Sequence, residues 1–148
     1  MEVLSENRKA GFSYHILERF QAGLSLLGPE VKSARLGRMQ IAGAYAHFKG
    51  EELFLVGSTI PPYQPNNMPE KYDPARSRKL LLNAKELSYL AGKVRERGLT
   101  LVPLKVYSSN AGKIKLEFGL AKGKKIWDKR EALKKRDVER EIRQNIRG

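Results

Sequence analysis

The side chains of this sequence that could do chemistry are positive charges interleaved with amides and aromatic rings. Positive groups neutralise the phosphates of a nucleic-acid backbone, while amides and flat rings contact bases. Each charge alone is typical of a solvated surface, but together they predict RNA binding. The groups are Asn7, Arg8, Lys9 and Tyr14; Arg35 and Arg38; Arg76, Arg78, Lys79 and Asn83; and Lys122, Lys124 and Lys125.

The residues that catalysis or metal binding would need are not arranged for either task. His15 and His47 lie in separate predicted strands, with no second histidine or carboxylate at ligand spacing. Glu51 and Glu52 share a predicted turn, where adjacent carboxylates are usually solvated. The phosphate-binding motif Gly-x-x-x-x-Gly-Lys-Ser/Thr is absent from the sequence. We therefore predict a protein that is not an enzyme, with no catalytic residue, no metal site and no cofactor.

Composition points to the same kind of partner. The 148 residues include 29 Lys and Arg against 16 Asp and Glu, a formal net charge of +13. This excess attracts nucleic acid or an anionic membrane surface, and no run of 18 apolar residues could span a bilayer. The sequence has no cysteine and no apolar signal-peptide core near residue 1. We expect a cytoplasmic protein that binds nucleic acid and not a membrane.

The elements that must position these groups are mostly strands. Alternating apolar residues predict a long strand over 12–27, in which Gly23 allows a bulge or bend. Two hairpins follow the same pattern, with strands over 40–48 and 52–60 and over 99–107 and 113–121. In the last strand the residues predicted to face the core are Ile114, Leu116, Phe118 and Leu120.

Two helices and a loop separate these strands. Pro29 near the start and Gly37 at the end predict a short helix over 28–37. Residues 61–74 hold five of the seven prolines and should form a loop. Asn83 and Glu86 form a capping box for a helix that Gly98 ends. About six antiparallel strands in so short a chain favour a small barrel of the oligonucleotide-binding (OB) kind, formed by residues 1–123.

Residues 124–148 form a predicted basic tail. From Lys122 to the end the chain carries eleven Lys and Arg against five Asp and Glu, and it holds the single tryptophan, Trp127. Favourable and repulsive charge pairs at helical spacing nearly cancel, so we predict a tail that is mostly disordered when free and becomes helical on binding. Trp127 either packs against Ala132 or stacks on an exposed base, and its lysine-rich surroundings favour the base.

Several short motifs follow one another along the chain. They are Asn7-Arg8-Lys9-Ala10 with Tyr14; Glu30-Val31-Lys32-Ser33 with Arg35 and Gly37-Arg38; Asp73-Pro74 through Arg76 and Arg78 to Lys79-Leu80-Leu81-Leu82; Thr100 to Lys105; and Ala121-Lys122-Gly123-Lys124-Lys125 with Asp128-Lys129-Arg130. Together they resemble the small protein B, or SsrA-binding protein, family of bacteria. The resemblance spans nearly the whole chain, and the order of the motifs makes it more specific than any one of them. Gln21 departs from it, standing where relatives often carry an acid, and Trp127 stands where many carry histidine.

The resemblance implies a six-stranded antiparallel barrel with about three helices that binds the tRNA-like part of transfer-messenger RNA. It also implies a role in ribosome rescue by trans-translation. The tail would stand in for the missing codon–anticodon contact, meeting small-subunit rRNA in the decoding centre and the mRNA channel. We expect a monomer in a 1:1 complex with the RNA. A basic ribosomal structural protein is the alternative, which stoichiometric presence in all ribosomes would favour.

The motif match and the basic groups together define two sets of predicted site residues. The set predicted to bind transfer-messenger RNA is Asn7, Arg8, Lys9, Tyr14, Gln21, Glu30, Arg35, Arg78, Lys79, Leu81, Asn83, Lys122, Lys124 and Lys125. The set predicted to act in the decoding centre is Trp127, Asp128, Lys129, Arg130, Lys134 and Arg136.

Overall fold

A computed structural model describes residues 1–64, 66, 68–96 and 98–124. Over these residues the chain forms seven strands and three helices. In chain order they are β1 (Glu2–Glu6), α1 (Ala10–Ser13), β2 (Tyr14–Leu24), α2 (Gly28–Arg35), β3 (Tyr45–Lys49), β4 (Glu52–Val56), β5 (Arg78–Leu81), α3 (Ala84–Lys93), β6 (Leu99–Ser108) and β7 (Ile114–Gly123).

The strands form one antiparallel sheet that closes into a ring. Its order is β1-β6-β3-β4-β5-β2-β7, and β7 pairs again with β6. One edge of β6 pairs with two strands: Leu101, near its start, pairs with Ala46 of β3, and 105–108, near its end, pair with β1. The predicted mainly-β, OB-like fold is confirmed. In the described part of the chain, β1 adds a seventh strand beside the six of the ring.

The core fills the inside of the ring, where alternating residues of each strand point inward. Ile114, Leu116, Phe118 and Leu120 are all buried, as their spacing predicts. Leu90 of α3 is fully buried in the same cluster, because this helix packs its apolar face against the ring. None of the helices in the described ranges is long and apolar enough to cross a membrane.

The long strand β2 pairs with β5 along one edge and with β7 along the other, because every strand of a closed sheet has a partner on each edge. Gly23 is where both ladders meet, since it pairs with Leu81 of β5 and with Lys115 of β7. The irregularity in register lies elsewhere, between Ile16 and Glu18. An added Cβ at Gly23 would lie 3.4 Å from the Leu81 side chain, an ordinary van der Waals contact, so the pairing there does not require glycine.

Several element boundaries differ from the predicted ones. β3 begins only at Tyr45, because Gly43 takes a left-handed φ of 78° and Gln40 makes a single bridge to Thr59. β4 ends at Val56 because Gly57 has a φ of 83°. Asn83 caps α3 by accepting the N–H of Glu86, which is one half of the predicted capping box, and the helix ends at Lys93. Residues 12 and 13, predicted as strand, belong to α1, and 2–6 form a strand that alternation alone did not predict.

Candidate nucleic-acid interface

A cleft of about 530 Å³ lies between α1, the start of β6 and the loop before β3; we call it the α1 cleft. Three of the predicted RNA-binding residues, Asn7, Lys9 and Tyr14, come together in its wall. The remaining lining residues are Ala10, Ser13, 42–45 and 100–102. Clefts of this size are typical of sites that hold small organic groups, and a nucleotide is of that scale.

Asn7 fixes the entry into α1. Its backbone N–H donates to the carbonyl of Leu104 (2.8 Å), and its side-chain amide donates to the carbonyl of Pro103 (3.0 Å). The following turn lies on the outer face of the sheet, where Ala10 packs with Val102 and Ala121 in a small buried cluster. Tyr14 is half-buried against this cluster, so its position is set by packing.

Basic residues lie at the same end of the molecule. Arg8 and Lys9 are exposed. Lys124 ties the end of β7 to α1, because its Nζ donates to the carbonyl of Gly11 (2.9 Å) and its backbone N–H donates to the carbonyl of Ser13 (3.0 Å). Lys122 pairs with His15, the residue after Tyr14 on β2, but its side chain lines a different cleft, which it shares with Tyr89.

A second cleft, of about 470 Å³, lies between β4, β5 and the start of α3; we call it the β5–α3 cleft. The predicted residues Lys79, Leu81 and Asn83 line it together. Leu81 is 51% exposed and so presents an apolar side chain to this cleft. The Asn83 Oδ1 accepts the N–H of Glu86 (2.8 Å), so this residue caps α3 and presents its amide at the helix start.

Gln21 lies on the outer face of β2, two residues from the position that pairs with Leu81. It is exposed, and its Oε1 accepts a hydrogen bond from the hydroxyl of Tyr107 (2.7 Å). Beside it, burial alone would raise the pKa of Glu117, but hydrogen bonds from Arg19 and Lys105 hold that pKa below its usual value. Gln21 therefore offers an amide next to a carboxylate whose charge is already neutralised.

Glu30 and Arg78 are not on the surface, although the sequence predicts that both bind RNA. Both side chains are fully buried, because they pair with each other: Arg78 Nη2 lies 2.7 Å from Glu30 Oε2. Arg76 also donates to Glu30, and the Tyr72 hydroxyl donates to the same carboxylate (2.9 Å). In this conformation the two predicted residues support the surface and do not form it.

The buried Glu30–Arg78 pair joins three segments of the chain, which are the start of α2, Ser58 after β4, and residues 72–78. Its Oε1 accepts the backbone N–H of Leu27 (2.9 Å), while Arg78 reaches Ser58 and the carbonyl of Pro74 (2.9 Å). Burial alone would raise the pKa of Glu30, but the bonds from Arg76, Leu27 and Arg78 lower it from 4.5 to about 2. The cluster fixes the start of β5, and with it the neighbours Lys79 and Leu81.

Arg35 lies apart from both clefts. It is exposed at the end of α2, and its Nη2 donates to the carbonyl of Gly112 (2.5 Å) in the β6–β7 turn. The predicted residue Lys125 and the predicted decoding residues, Trp127, Asp128, Lys129, Arg130, Lys134 and Arg136, lie outside the described residues, as do the predictions for the tail. In the described part of the chain, no three His, Asp or Glu side chains are grouped to hold a metal ion.

Two features of this surface were missed from the sequence. Tyr45 lines the α1 cleft and is 49% exposed, although it lies 31 residues beyond Tyr14 in the chain. Its alternation with buried Ala46 was the available signal, since neighbouring strand residues face opposite sides. Tyr72, whose hydroxyl donates to Glu30, lies in the proline-rich loop, where the sequence shows no periodic pattern that could predict this contact.

The comparisons with known proteins decide the family. A family model described as SmpB protein matches residues 4–148. The chain belongs to the SmpB family. The SsrA-binding protein of Carboxydothermus hydrogenoformans is 49% identical over 99% of this chain and 97% of its own length. That of Ralstonia nicotianae is 50% identical over 94% and 93%, and that of Thermosipho melanesiensis is 44% identical over the whole of both chains.

A solved structure agrees with the SmpB assignment. It is described as tmRNA-SmpB on a journey to the center of the bacterial ribosome. The chain matched in it is 48% identical, with a TM-score of 0.66 over 82% of this chain and 84% of that one. The predicted resemblance to the SsrA-binding protein family is thus confirmed.

Proposed function

We propose that this protein binds the tRNA-like part of transfer-messenger RNA and delivers it to stalled ribosomes. The observation that carries the proposal is the match, over nearly the whole chain, to relatives named SsrA-binding proteins. The structural neighbour, whose description names tmRNA, SmpB and the bacterial ribosome, supports both partners. The protein acts as a binding adaptor without catalysis, and binding to ribosomes implies a cytoplasmic location.

The α1 cleft supplies the first set of RNA contacts. Arg8 and Lys9 are exposed cations at its edge, and Tyr14 places a ring in its wall. Cations that follow the backbone and rings that meet bases are the combination that unpaired RNA requires. The side-chain amide of Asn7 already donates a hydrogen bond to the carbonyl of Pro103. Asn7 therefore holds the α1 turn in place as well as facing the cleft.

The β5–α3 cleft supplies the second set. Leu81 gives an exposed apolar surface beside the Asn83 amide, and Lys79 gives a cation that also pairs with Glu52 (3.5 Å). An apolar contact and an amide recognise a base or ribose, while the lysine meets a phosphate. The buried Glu30 carboxylate supports this surface from within through Arg78, the first residue of β5.

The basic segment 124–148 completes the proposal. We assign it to the decoding centre and the mRNA channel, where Trp127, Asp128, Lys129, Arg130, Lys134 and Arg136 would meet small-subunit rRNA. We assign Lys125 to the residues that bind transfer-messenger RNA together with the domain. The high density of positive charge in this segment suits an RNA-lined channel.

Recovery of bound RNA tests the proposal. The protein is purified from its own cells, and the copurifying RNA is sequenced; the expected result is strong enrichment of transfer-messenger RNA. Ribosomes are then separated into stalled and translating fractions, and the protein is expected only on the stalled ones. Ribosomal RNA alone, with the protein stoichiometric on every ribosome, would contradict the proposal and favour a ribosomal structural protein.

Salt dependence separates the kinds of contact. Affinity for the purified RNA should fall steeply with salt, because each neutralised phosphate releases counterions. Tyr14→Ala and Asn83→Ala should weaken binding at fixed salt with little change in slope, since a ring or an amide carries no charge. Lys79→Ala should instead reduce the slope by about one. An affinity that does not depend on salt would contradict this assignment of the basic residues.

A further inference from the structure

We propose that the outer face of β3 and β4 is an additional stacking surface, on which Tyr45 and His47 take unpaired nucleobases of the bound RNA. None of the residues predicted from the sequence motifs belongs to these two strands. The inference rests on the proposed function, because its ligand is a further stretch of the same RNA.

The alternation of β3 places its flat side chains on one side. Tyr45 and His47 are exposed, while Ala46 between them is buried in the core. On β4, Phe54 faces outward directly opposite His47, with Leu53 and Leu55 buried on either side. Rings from two neighbouring strands therefore form one row on the outside of the sheet.

Two rings of this row are exposed and in contact with each other. Tyr45 is 49% exposed, and its ring meets His47 edge-on, with centroids 6.3 Å apart and an interplanar angle of 74°. A single exposed tyrosine is common on protein surfaces and would indicate nothing. Two exposed flat rings in contact, next to a third half-buried one, offer faces on which bases of any sequence can stack.

The shape of the row and the cation of the adjoining cleft favour RNA as the occupant of this surface. Lys79 is directly opposite Phe54, and Lys49 continues the outward side of β3. Glu52 pairs with Lys79 (3.5 Å), and exposed Glu51 follows Lys49 in the turn, so these four groups carry no net charge. The flat rings suit bases, and Lys9, which lines the α1 cleft together with Tyr45, supplies the positive charge for the backbone.

The surface is continuous with the α1 cleft, and this continuity identifies which RNA it takes. Tyr45 itself lines the cleft, together with Lys9 and Tyr14. A strand of RNA held in the cleft by these residues would continue over β3, which brings its next unpaired bases onto Tyr45 and then His47.

Binding to the fluorescently labelled tRNA-like part of transfer-messenger RNA tests the inference. The full-length protein is compared with Tyr45→Ala, His47→Ala and Tyr45→Phe at fixed salt. Tyr63→Ala is the control, because Tyr63 is a half-buried tyrosine in the loop after β4 that lines neither the α1 cleft nor the β5–α3 cleft. Thermal melting of each variant confirms that it is folded. We expect Tyr45→Ala to weaken binding about tenfold without changing the salt slope, and Tyr45→Phe and Tyr63→Ala to bind like the unaltered protein.

Ultraviolet cross-linking gives a second readout. The expected result is a peptide that contains Tyr45 or His47 joined to a nucleotide. The inference is overturned if Tyr45→Ala and His47→Ala bind like the unaltered protein while Tyr14→Ala binds more weakly; the proposed function then stands. If the unaltered protein does not bind this RNA, the proposed function and the inference are both refuted.

Discussion

Glu30→Gln removes the buried carboxylate that joins α2 to the start of β5. The substitution keeps the size of the side chain but leaves Arg76 and the fully buried Arg78 without a negative partner. Removing one member of a buried ion pair costs about 3–5 kcal/mol, because the other charge stays out of water.

The pKa of Glu30 gives an independent magnitude. A fall from 4.5 to about 2 on folding corresponds to about 3 kcal/mol of stability at neutral pH. Because the folded pKa is the lower one, this stability is fully present above pH 4.5 and is lost as the pH falls from there through about 2. Two different routes therefore give a loss of about 3 kcal/mol for Glu30→Gln at pH 7.

Urea unfolding followed by circular dichroism measures this loss. At pH 7 the variant should be about 3 kcal/mol less stable than the unaltered protein. By pH 3 the gap should shrink to between about 1 and 2 kcal/mol, as protonation of the unfolded chain removes part of the advantage of the native carboxylate. Glu96→Gln is the control, since Glu96 pairs with Lys93 on the exposed surface, and it should show no measurable change.

Two results would refute this reasoning. One is a Glu30→Gln variant as stable as the unaltered protein at pH 7, which would mean that the buried arginines do not need the carboxylate. The other is a stability difference that stays constant between pH 7 and pH 3, which would mean that the pKa of Glu30 is not lowered by folding.

The remaining predictions concern the tail and two glycines. A chain ending at Gly123 should fold and still bind transfer-messenger RNA, more weakly because it lacks Lys124 and Lys125, but fail to support tagging in a translation assay. Complete loss of RNA binding would contradict the division into domain and tail. Trp127→Ala should leave that RNA binding intact while slowing rescue; unchanged rescue with reduced tail helicity would favour packing over stacking. Gly119→Ala should destabilise the domain by about 1–3 kcal/mol in urea unfolding, because the new Cβ would lie 2.8 Å from Ile16 Cγ2. Gly92→Ala, in open space on α3, should be neutral or stabilise by up to about 1 kcal/mol.

The sequence predicted five of the strands that bury one face, β2, β3, β4, β6 and β7, but not the short β5. In β7 the alternation of Ile114, Leu116 and Phe118 carries the signal by itself, because a period of two with one apolar side is typical of a strand packed on a core. β1 was missed for the converse reason. Only Leu4 of its five residues is buried, and its partner β6 lies about a hundred residues away in the chain.

The sequence did not show which of the predicted site residues lie together in the folded chain. Lys9 and Tyr14 are close in sequence, but the cleft also needs Tyr45 and Thr100, which only the closed ring brings to them. Glu30 was assigned to the RNA-binding set by the motif match, and its burial was not predicted. Its partner lies 48 positions away, so no local pattern could show the pairing.

The closed ring has a consequence for how the protein folds during synthesis. The strands β1 and β2 find their main partners only in β6 and β7, at the end of the domain, so neither can complete its pairing while the ribosome is still making residues before 99. Pairing between such distant segments requires the closure of long loops, which slows folding to milliseconds or seconds. Until β6 and β7 are synthesised, the apolar sides of β2 to β5 are not covered by the rest of the ring. A nascent chain whose synthesis stops at this stage exposes unpaired strand edges, which can aggregate.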